Sequence, residues 1–268
     1  MRHALALLAL LLPGPALAAG QIESRCHAEV PCTLGARSYH VKEPDGWDGK
    51  TPLPVLLHFH GWMRQGTLIV KHGRISGATR RRGVLLLAPN GQGKTWDFWT
   101  DQTDDVAFAA AVIEDAAKRY PIDRSRIYVS GYSYGAAMAW RYVCQNGDGV
   151  AALLAVSGTL PQSETCPQAP REVRHVHGTS DTVMDFPFGP NGETTGPVRL
   201  WRERMGCDGE GKDAGNWSVT RHDTFARTTW DCAGGRIALD VHSRGHFIPR
   251  GWIARQLDDL LGLVPSYP

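Results

Sequence analysis

The segment Arg126-Ile127-Tyr128-Val129-Ser130-Gly131-Tyr132-Ser133-Tyr134-Gly135-Ala136-Ala137-Met138 constrains this chain more than any other. A β-branched apolar run leads into Gly131-x-Ser133-x-Gly135, and alanine-rich, helix-favouring sequence follows. That order predicts a strand, a sharp turn and a helix, with Ser133 at the turn. The glycines remove side chains that would clash as the backbone reverses, and the serine itself is held in an unfavourable backbone region. The start of the following helix directs free N–H groups towards charge developing near Ser133. In a chain with 30 glycines the bare motif arises easily by chance. The strand before it and the helix after it favour a nucleophile over a plain glycine turn.

Residues 1–18 read as a secretory signal peptide. Arg2 and His3 precede the apolar run 4–12, and Ala16-Leu17-Ala18 supplies a small-x-small cleavage pattern. The run is too short for a membrane span, and the first cysteine, Cys26, lies too far on for a lipid anchor. The mature protein is therefore expected to be soluble and exported, periplasmic or extracellular, with no membrane anchor. About 250 residues remain, enough for one large α/β domain. The division is an N-terminal disulfide segment at 19–36 and a catalytic domain at 37–268. A formal net charge of +2, with Arg80-Arg81-Arg82 the one short basic run, gives nucleic-acid binding no support. Six cysteines in an exported chain suggest three disulfides, out of fifteen pairings that sequence alone permits. Spacing favours the local pairs Cys26–Cys32, Cys144–Cys166 and Cys207–Cys232. No Cys-x-x-Cys or zinc-spaced cluster is present, so the cysteines read as staples, not metal ligands.

Continuous apolar runs at 54–60, 84–88, 127–130 and 151–157 read as strands buried on both faces, joined by strands at 37–42 and 172–176. Between them, helices are expected at 66–82, at 104–119 capped by Asp104-Asp105, and at 133–144. The tail adds a helix at 198–205, strands at 218–224 and 235–243, and an amphipathic helix at 251–261. Strands alternating with helices predict an α/β fold with a mostly parallel sheet covered on both faces.

A serine hydroxyl is a poor nucleophile until a base takes its proton, and the base must be held in one tautomer. In the α/β-hydrolase arrangement the partners follow in the order serine, acid, histidine, each on a loop after a strand. Asp181 stands directly after the 172–176 strand, in His177-Gly178-Thr179-Ser180-Asp181. Asp185 competes with it, and Asp208 or Asp213 would need a long detour. Asp181 could also merely cap a turn. For the base, His246 follows the last strand and precedes the last helix. His222 and His242 lie inside expected strands, and His175 and His177 come too early. An oxyanion hole needs two backbone N–H groups. Tyr134 follows the nucleophile and supplies one. Trp62, in His60-Gly61-Trp62 at the end of an earlier strand, is the choice for the other. Trp96, in the aromatic loop Trp96-Asp97-Phe98-Trp99, either lines a substrate pocket or packs beneath that loop.

Together, His58-Phe59-His60-Gly61-Trp62, the helix start at Asp105-Val106-Ala107-Phe108, the run from Tyr120 to Val129, Gly131-x-Ser133-x-Gly135, His177-Gly178-Thr179-x-Asp181 and Gly245-His246 resemble one family. It is the secreted polyhydroxybutyrate depolymerase and feruloyl or acetylxylan esterase family of α/β-hydrolases, and the resemblance runs over roughly residues 37–260. It implies a single-domain α/β-hydrolase fold, cleavage of carboxylic esters, no metal or other cofactor, and the bridges Cys144–Cys166 and Cys207–Cys232. The chain departs from the family pattern at Tyr134-Gly135-Ala136, where a small residue and two glycines are common, and at Phe247-Ile248-Pro249, where a tryptophan before the proline is common.

The expected activity is that of a serine carboxylesterase using Ser133, Asp181 and His246. Such a reaction slows as its imidazole base protonates, near the ordinary histidine value of about 6.5. The expected substrate is a feruloyl or acetyl ester of plant polysaccharide or a related small ester. With no polymer-binding module in the sequence, soluble esters are favoured over crystalline polymer. Hydroxyalkanoate polyester or oligomer is the alternative within enzymes. A non-catalytic binding protein on a hydrolase scaffold is the alternative outside them.

Overall fold

The computed structural model describes residues 26–100 and 103–266. The leader expected at 1–18 lies outside them. In chain order the elements are β1 (Cys32–Leu34), β2 (Arg37–Lys42), β3 (Leu53–Phe59), α1 (Gly66–Lys71), α2 (Ser76–Arg80), β4 (Leu85–Pro89), α3 (Asp104–Arg119), β5 (Ile122–Tyr132), α4 (Tyr134–Asn146), β6 (Ala152–Val156), β7 (Glu172–Gly178), α5 (Arg199–Met205), β8 (Lys212–Thr220), β9 (Asp223–Cys232), β10 (Gly235–His242) and α6 (Trp252–Leu261). The described strands form one sheet in the order β1-β2-β4-β3-β5-β6-β7-β10-β9-β8. From β4 to β10 every neighbouring pair is parallel. Antiparallel strands close both edges.

The all-apolar strands follow from this layering. Along a strand successive side chains point to opposite faces, and here both faces are covered. Val55, Leu57, Phe59, Val129, Leu153 and Ala155 join the core beneath α3 and α4. Leu56, Tyr128, Leu154 and Val156 join the core on the other face, under α1, α2 and α6. A fully buried side chain of this size contributes about 1.5–3 kcal/mol relative to exposure, so strands that face helices on both sides hold the sheet's centre. Disulfides join Cys26 to Cys32, Cys144 to Cys166 and Cys207 to Cys232. Cys32 also begins β1, so the disulfide segment supplies the edge strand of the sheet.

Three expectations need correction. The helix expected at 66–82 is two short helices, because the chain turns extended at His72 before Gly73, a weak helix former. The strand expected at 218–224 spans a hairpin turn at Arg221-His222 between β8 and β9. That turn lacks the Asn-Gly or Gly signal that marks a two-residue hairpin in sequence. The cap of α3 is Thr103, whose hydroxyl accepts the Asp105 N–H. The Asp105 carboxylate accepts instead from the Asp97 N–H at 2.7 Å and pairs with Arg37 at 2.5 Å.

The turn from β5 into α4 depends on backbone approaching backbone. A Cβ on Gly135 would stand 2.1 Å from the Phe59 carbonyl oxygen and 2.5 Å from that of His60. A Cβ on Gly131 would stand 2.0 Å from the Gly135 carbonyl oxygen. Both contacts are with backbone, which has no rotamer to yield. Gly135→Ala is expected to gain up to about 1 kcal/mol of helix propensity. It loses more than that to overpacking, whose usual cost is about 1–3 kcal/mol. The net expectation is a lower urea midpoint; an unchanged or higher midpoint would show that α4 can lift off β3 freely.

Candidate active site

Ser133 sits between β5 and α4 with φ 59° and ψ −125°, a conformation costly for a residue with a Cβ. Its neighbours hold it there. The Ser133 N–H donates to the Val156 carbonyl at 3.0 Å, and its carbonyl accepts from Ala136 and Ala137 at 2.8 and 3.1 Å. This places the serine at the C-terminal end of the parallel strands, where open α/β sheets gather their chemistry.

β7 ends at Gly178, and Asp181 follows, buried. Its Oδ1 accepts the N–H groups of Val183 and Met184, both at 2.9 Å, and its Oδ2 accepts from His246 Nδ1 at 2.7 Å. Burial opposes the charge on Asp181. The imidazoles of His177 and His246 and the two N–H groups outweigh it and hold the carboxyl well below the usual range. The competitors Asp185, Asp208 and Asp213 are all exposed.

The structure brings His246 to the serine's turn. Its ring lies 4.8 Å from the Tyr132 ring, tilted by 30°, so the residue before Ser133 carries the imidazole. No hydrogen bond joins Ser133 and His246 among the described residues. In empty sites such bonds are often long and tighten on substrate binding. Of the other histidines, His222 lies exposed on the β8–β9 hairpin, not within a strand as expected, while His175, His177 and His242 are buried.

Trp62 and Tyr134 flank Ser133 from two elements. A Cβ on Gly61 would lie 3.6 Å from the Ser133 Cβ, which sets the Gly61-Trp62 peptide beside the serine. The Gly61 carbonyl is held by His60 Nδ1 at 2.9 Å and by the Arg64 N–H at 3.2 Å. Across a trans peptide the Trp62 N–H points the opposite way. Tyr134 opens α4, so its N–H has no intrahelical acceptor.

The aromatic loop requires a correction. Trp96 is buried, donates its indole N–H to the His60 carbonyl at 2.7 Å and packs edge-on to Phe59. It supports the strand end and offers no surface to a substrate. The exposed member is Trp99, 61% accessible, with its ring 6.0 Å from that of Tyr134. Arg141 of α4, fully buried, donates to the Phe98 carbonyl at 3.0 Å and pairs with Glu164 at 3.1 Å, anchoring this loop. Position in sequence distinguished none of these: Trp96 and Trp99 belong to one short motif, and only packing decides which faces out.

A family model described as Phospholipase/Carboxylesterase matches residues 102–195. The acetyl xylan esterase from Aspergillus awamori superposes with a TM-score of 0.65 over 85% of this chain and 95% of its own, at 14% identity. The chain has an α/β-hydrolase fold. Among curated relatives, the bifunctional acetylxylan esterase/xylanase XynS20E of Neocallimastix patriciarum is 26% identical over 78% of the chain and 31% of its own length. The putative esterase NocK of Nocardia uniformis is 28% identical over 74% of the chain and 66% of its own length. The probable feruloyl esterase C of Aspergillus niger is 26% identical over 58% of the chain and 59% of its own length. The chain thus spans less than two thirds of each of these curated relatives. The matching family model is described by carboxylic ester hydrolysis, and feruloyl and acetylxylan esterases are among the proteins this chain is similar to.

Buried imidazoles behind the site predict how this fold responds to acid. Burial pushes His58 down to about 3, and both His60 and His242 down to about 4. In the unfolded chain these rings take up protons near the ordinary value of about 6.5. Below that value the unfolded state binds more protons than the folded one, so stability falls as pH falls through the window from about 6.5 to about 4. Urea midpoints measured across it are expected to decline steadily. A constant midpoint down to about pH 4 would mean that these rings are not neutral in the folded state.

Proposed function

We propose that this chain is an exported serine carboxylesterase in which Ser133 is the nucleophile, His246 the base and Asp181 the residue that orients it. The observation that carries this reading is the 2.7 Å bond from His246 Nδ1 to Asp181, formed by an imidazole lying on Tyr132 beside the strained Ser133. Nδ1–H is committed to the carboxylate, so Nε2 is left as the acceptor for the serine proton. Ser133 Oγ attacks the ester carbonyl carbon as its proton passes to Nε2. The C–O bond to the alcohol then breaks, and the alcohol leaves with that proton. Water, deprotonated by the same nitrogen, attacks the acyl-enzyme and releases the acid and the serine.

The developing oxyanion sits between the N–H groups of Trp62 and Tyr134. The peptide-plane argument supports Trp62, and the open start of α4 supports Tyr134. The substrate reading is a feruloyl or acetyl ester of plant polysaccharide. Relatives named as feruloyl and acetylxylan esterases support it, as do two broadly exposed indoles, Trp62 and Trp99, on loops at the serine's end of the sheet. Flat apolar rings with one polar edge suit a phenolic acyl group or a sugar face. Export is supported by the leader-like sequence at 1–18 and by the three disulfides.

The test is hydrolysis of methyl ferulate, an acetylated xylo-oligosaccharide and a 3-hydroxybutyrate oligomer, side by side, with fluorophosphonate labelling of the serine. Ser133→Ala is expected to abolish labelling and to lower kcat on the order of a million-fold. Cleavage of the oligomer alone would move the substrate to hydroxyalkanoates, and neither cleavage nor labelling would leave a binding protein. His60 gives a second check. His60→Leu removes the shorter of the two bonds that hold the Gly61 carbonyl and is expected to cost up to about 100-fold in kcat, the scale of a lost oxyanion donor. His60→Asn keeps an amide N–H near the place of Nδ1 and should recover most of it. Equal activity in the wild type and His60→Leu would remove Trp62 from the oxyanion site.

A further inference from the structure

Behind Asp181 lies a second imidazole that the mechanism above does not use. His177, on β7, is buried, with Nε2 at 2.7 Å from the Met184 carbonyl oxygen and 3.4 Å from Asp181 Oδ2. A carbonyl oxygen only accepts, so Nε2 carries the proton. Nδ1 of the same ring stands 3.2 Å from His175 Nε2. In a neutral ring protonated at Nε2, Nδ1 is an acceptor, so His175 Nε2–H donates to it. Burial, followed by the nearby His177, keeps His175 neutral by holding it well below the ordinary histidine value. Its own Nδ1 has no partner among the described residues, consistent with that tautomer. The two rings are stacked at 5.4 Å, and Phe186 closes over His177 edge-on at 5.5 Å.

These bonds form a closed frame. Asp181 Oδ1 takes the N–H of Met184, while His177 takes the carbonyl of the same residue. The turn 181–184 is thereby fastened at both ends of one residue, which leaves Asp181 Oδ2 facing His246. The His177 N–H dipole also lies near Oδ2, the oxygen that His246 holds. We infer that His177, with its tautomer set by the Met184 carbonyl and supported by His175, is a positioning residue for the esterase reaction: it fixes the Asp181 carboxylate on His246 and tempers that carboxylate's hold on the imidazolium. The inference rests on the Ser133–His246–Asp181 reading. The titratable groups facing His177 are His175 on β7, Asp181 on the following turn, and His242 at the end of β10, near enough that a Cβ on Gly178 would be 2.7 Å from its Cε1. His246 faces the same carboxylate.

Two consequences separate this from a merely structural role. Without the His177 dipole, Oδ2 holds the protonated His246 more tightly, so the acid limb of kcat/KM moves to higher pH. Without the frame, the base is misplaced, and misplacement lowers kcat while leaving KM nearly alone. The experiment compares His177→Leu, which removes the donor, with His177→Gln, whose amide nitrogen reaches the place of Nε2. Foldedness is checked by near-ultraviolet circular dichroism and thermal melting. For His177→Leu the expectation is a kcat between about tenfold and 100-fold lower, KM within about twofold, and an acid limb displaced upward. His177→Gln should restore both. The low-field proton resonance of the His246 Nδ1–H bond should weaken in the leucine variant and persist in the glutamine one.

If His177→Leu does not fold, His175→Phe tests the same frame. It removes the donor to His177 Nδ1 and so loosens the ring, and a smaller kcat loss with the same upward limb is expected. A folded His177→Leu with wild-type kcat and pH profile overturns the inference. So does an equal loss in Leu and Gln with an unmoved limb. Fluorophosphonate labelling of the wild type keeps the two readings apart. Absence of labelling at Ser133 sinks the triad reading and this one with it, whereas labelling of His177→Leu at the wild-type rate sinks this one alone.

Discussion

The arrangement depends on how closely the start of α4 is pressed against the end of β3. Gly135 meets the carbonyls of Phe59 and His60 at a distance no Cβ would survive, and Gly131 meets Gly135 in the same way. That contact fixes the angle of the β5–α4 turn and forces Ser133 into its strained backbone conformation. It also sets the Gly61-Trp62 peptide beside the serine. The Ser133 turn and the placement of the Gly61-Trp62 peptide are thus consequences of one steric constraint. Strain of about 1–3 kcal/mol at Ser133 persists because the sheet core over-determines the turn.

The C-terminal edge of the sheet is rich in buried imidazole. His58 contacts the Ser130 hydroxyl at 3.0 Å, His60 holds the Gly61 carbonyl, and His175 and His177 stand behind Asp181. Burial keeps His58, His60 and His175 uncharged, and an uncharged ring has one donor and one acceptor. Such a ring can bridge two backbone groups of opposite kind, as His60 does between the Gly61 carbonyl and the Gly91 N–H. Loops that would otherwise bury unsatisfied polar groups are tied to strand ends in this way.

Much of the fold was legible because its signals are local. The apolar runs of β3, β4, β5 and β6 report burial on both faces, and the serine, acid and histidine each follow a strand in the expected order. The β8–β9 hairpin was not legible, since Arg221-His222 carries no turn-specific residue. The break between α1 and α2 was missed because glycine in a helix costs only about 1 kcal/mol, too little to announce an end. Asp104-Asp105 has the composition of a cap, yet the Asp105 carboxylate serves Arg37 and Asp97, residues distant in sequence or on another loop.

By itself the sequence determined the strand–turn–helix around Ser133 and the order of the three candidate side chains, and it favoured the pairing of nearby cysteines. Each is a matter of neighbours along the chain: glycine where the backbone must reverse, apolar residues where both faces are covered, short spans between staples. The tertiary structure alone decided which aspartate bonds His246, which tryptophan turns outward, and which histidines stand neutral behind the site. Those outcomes depend on distances between segments 36 to 65 residues apart, such as Trp96 and His60 at a separation of 36 or Asp181 and His246 at 65. Burial and hydrogen-bond partners are properties of packed neighbours, and periodicity along one segment carries no record of what another segment will place against it.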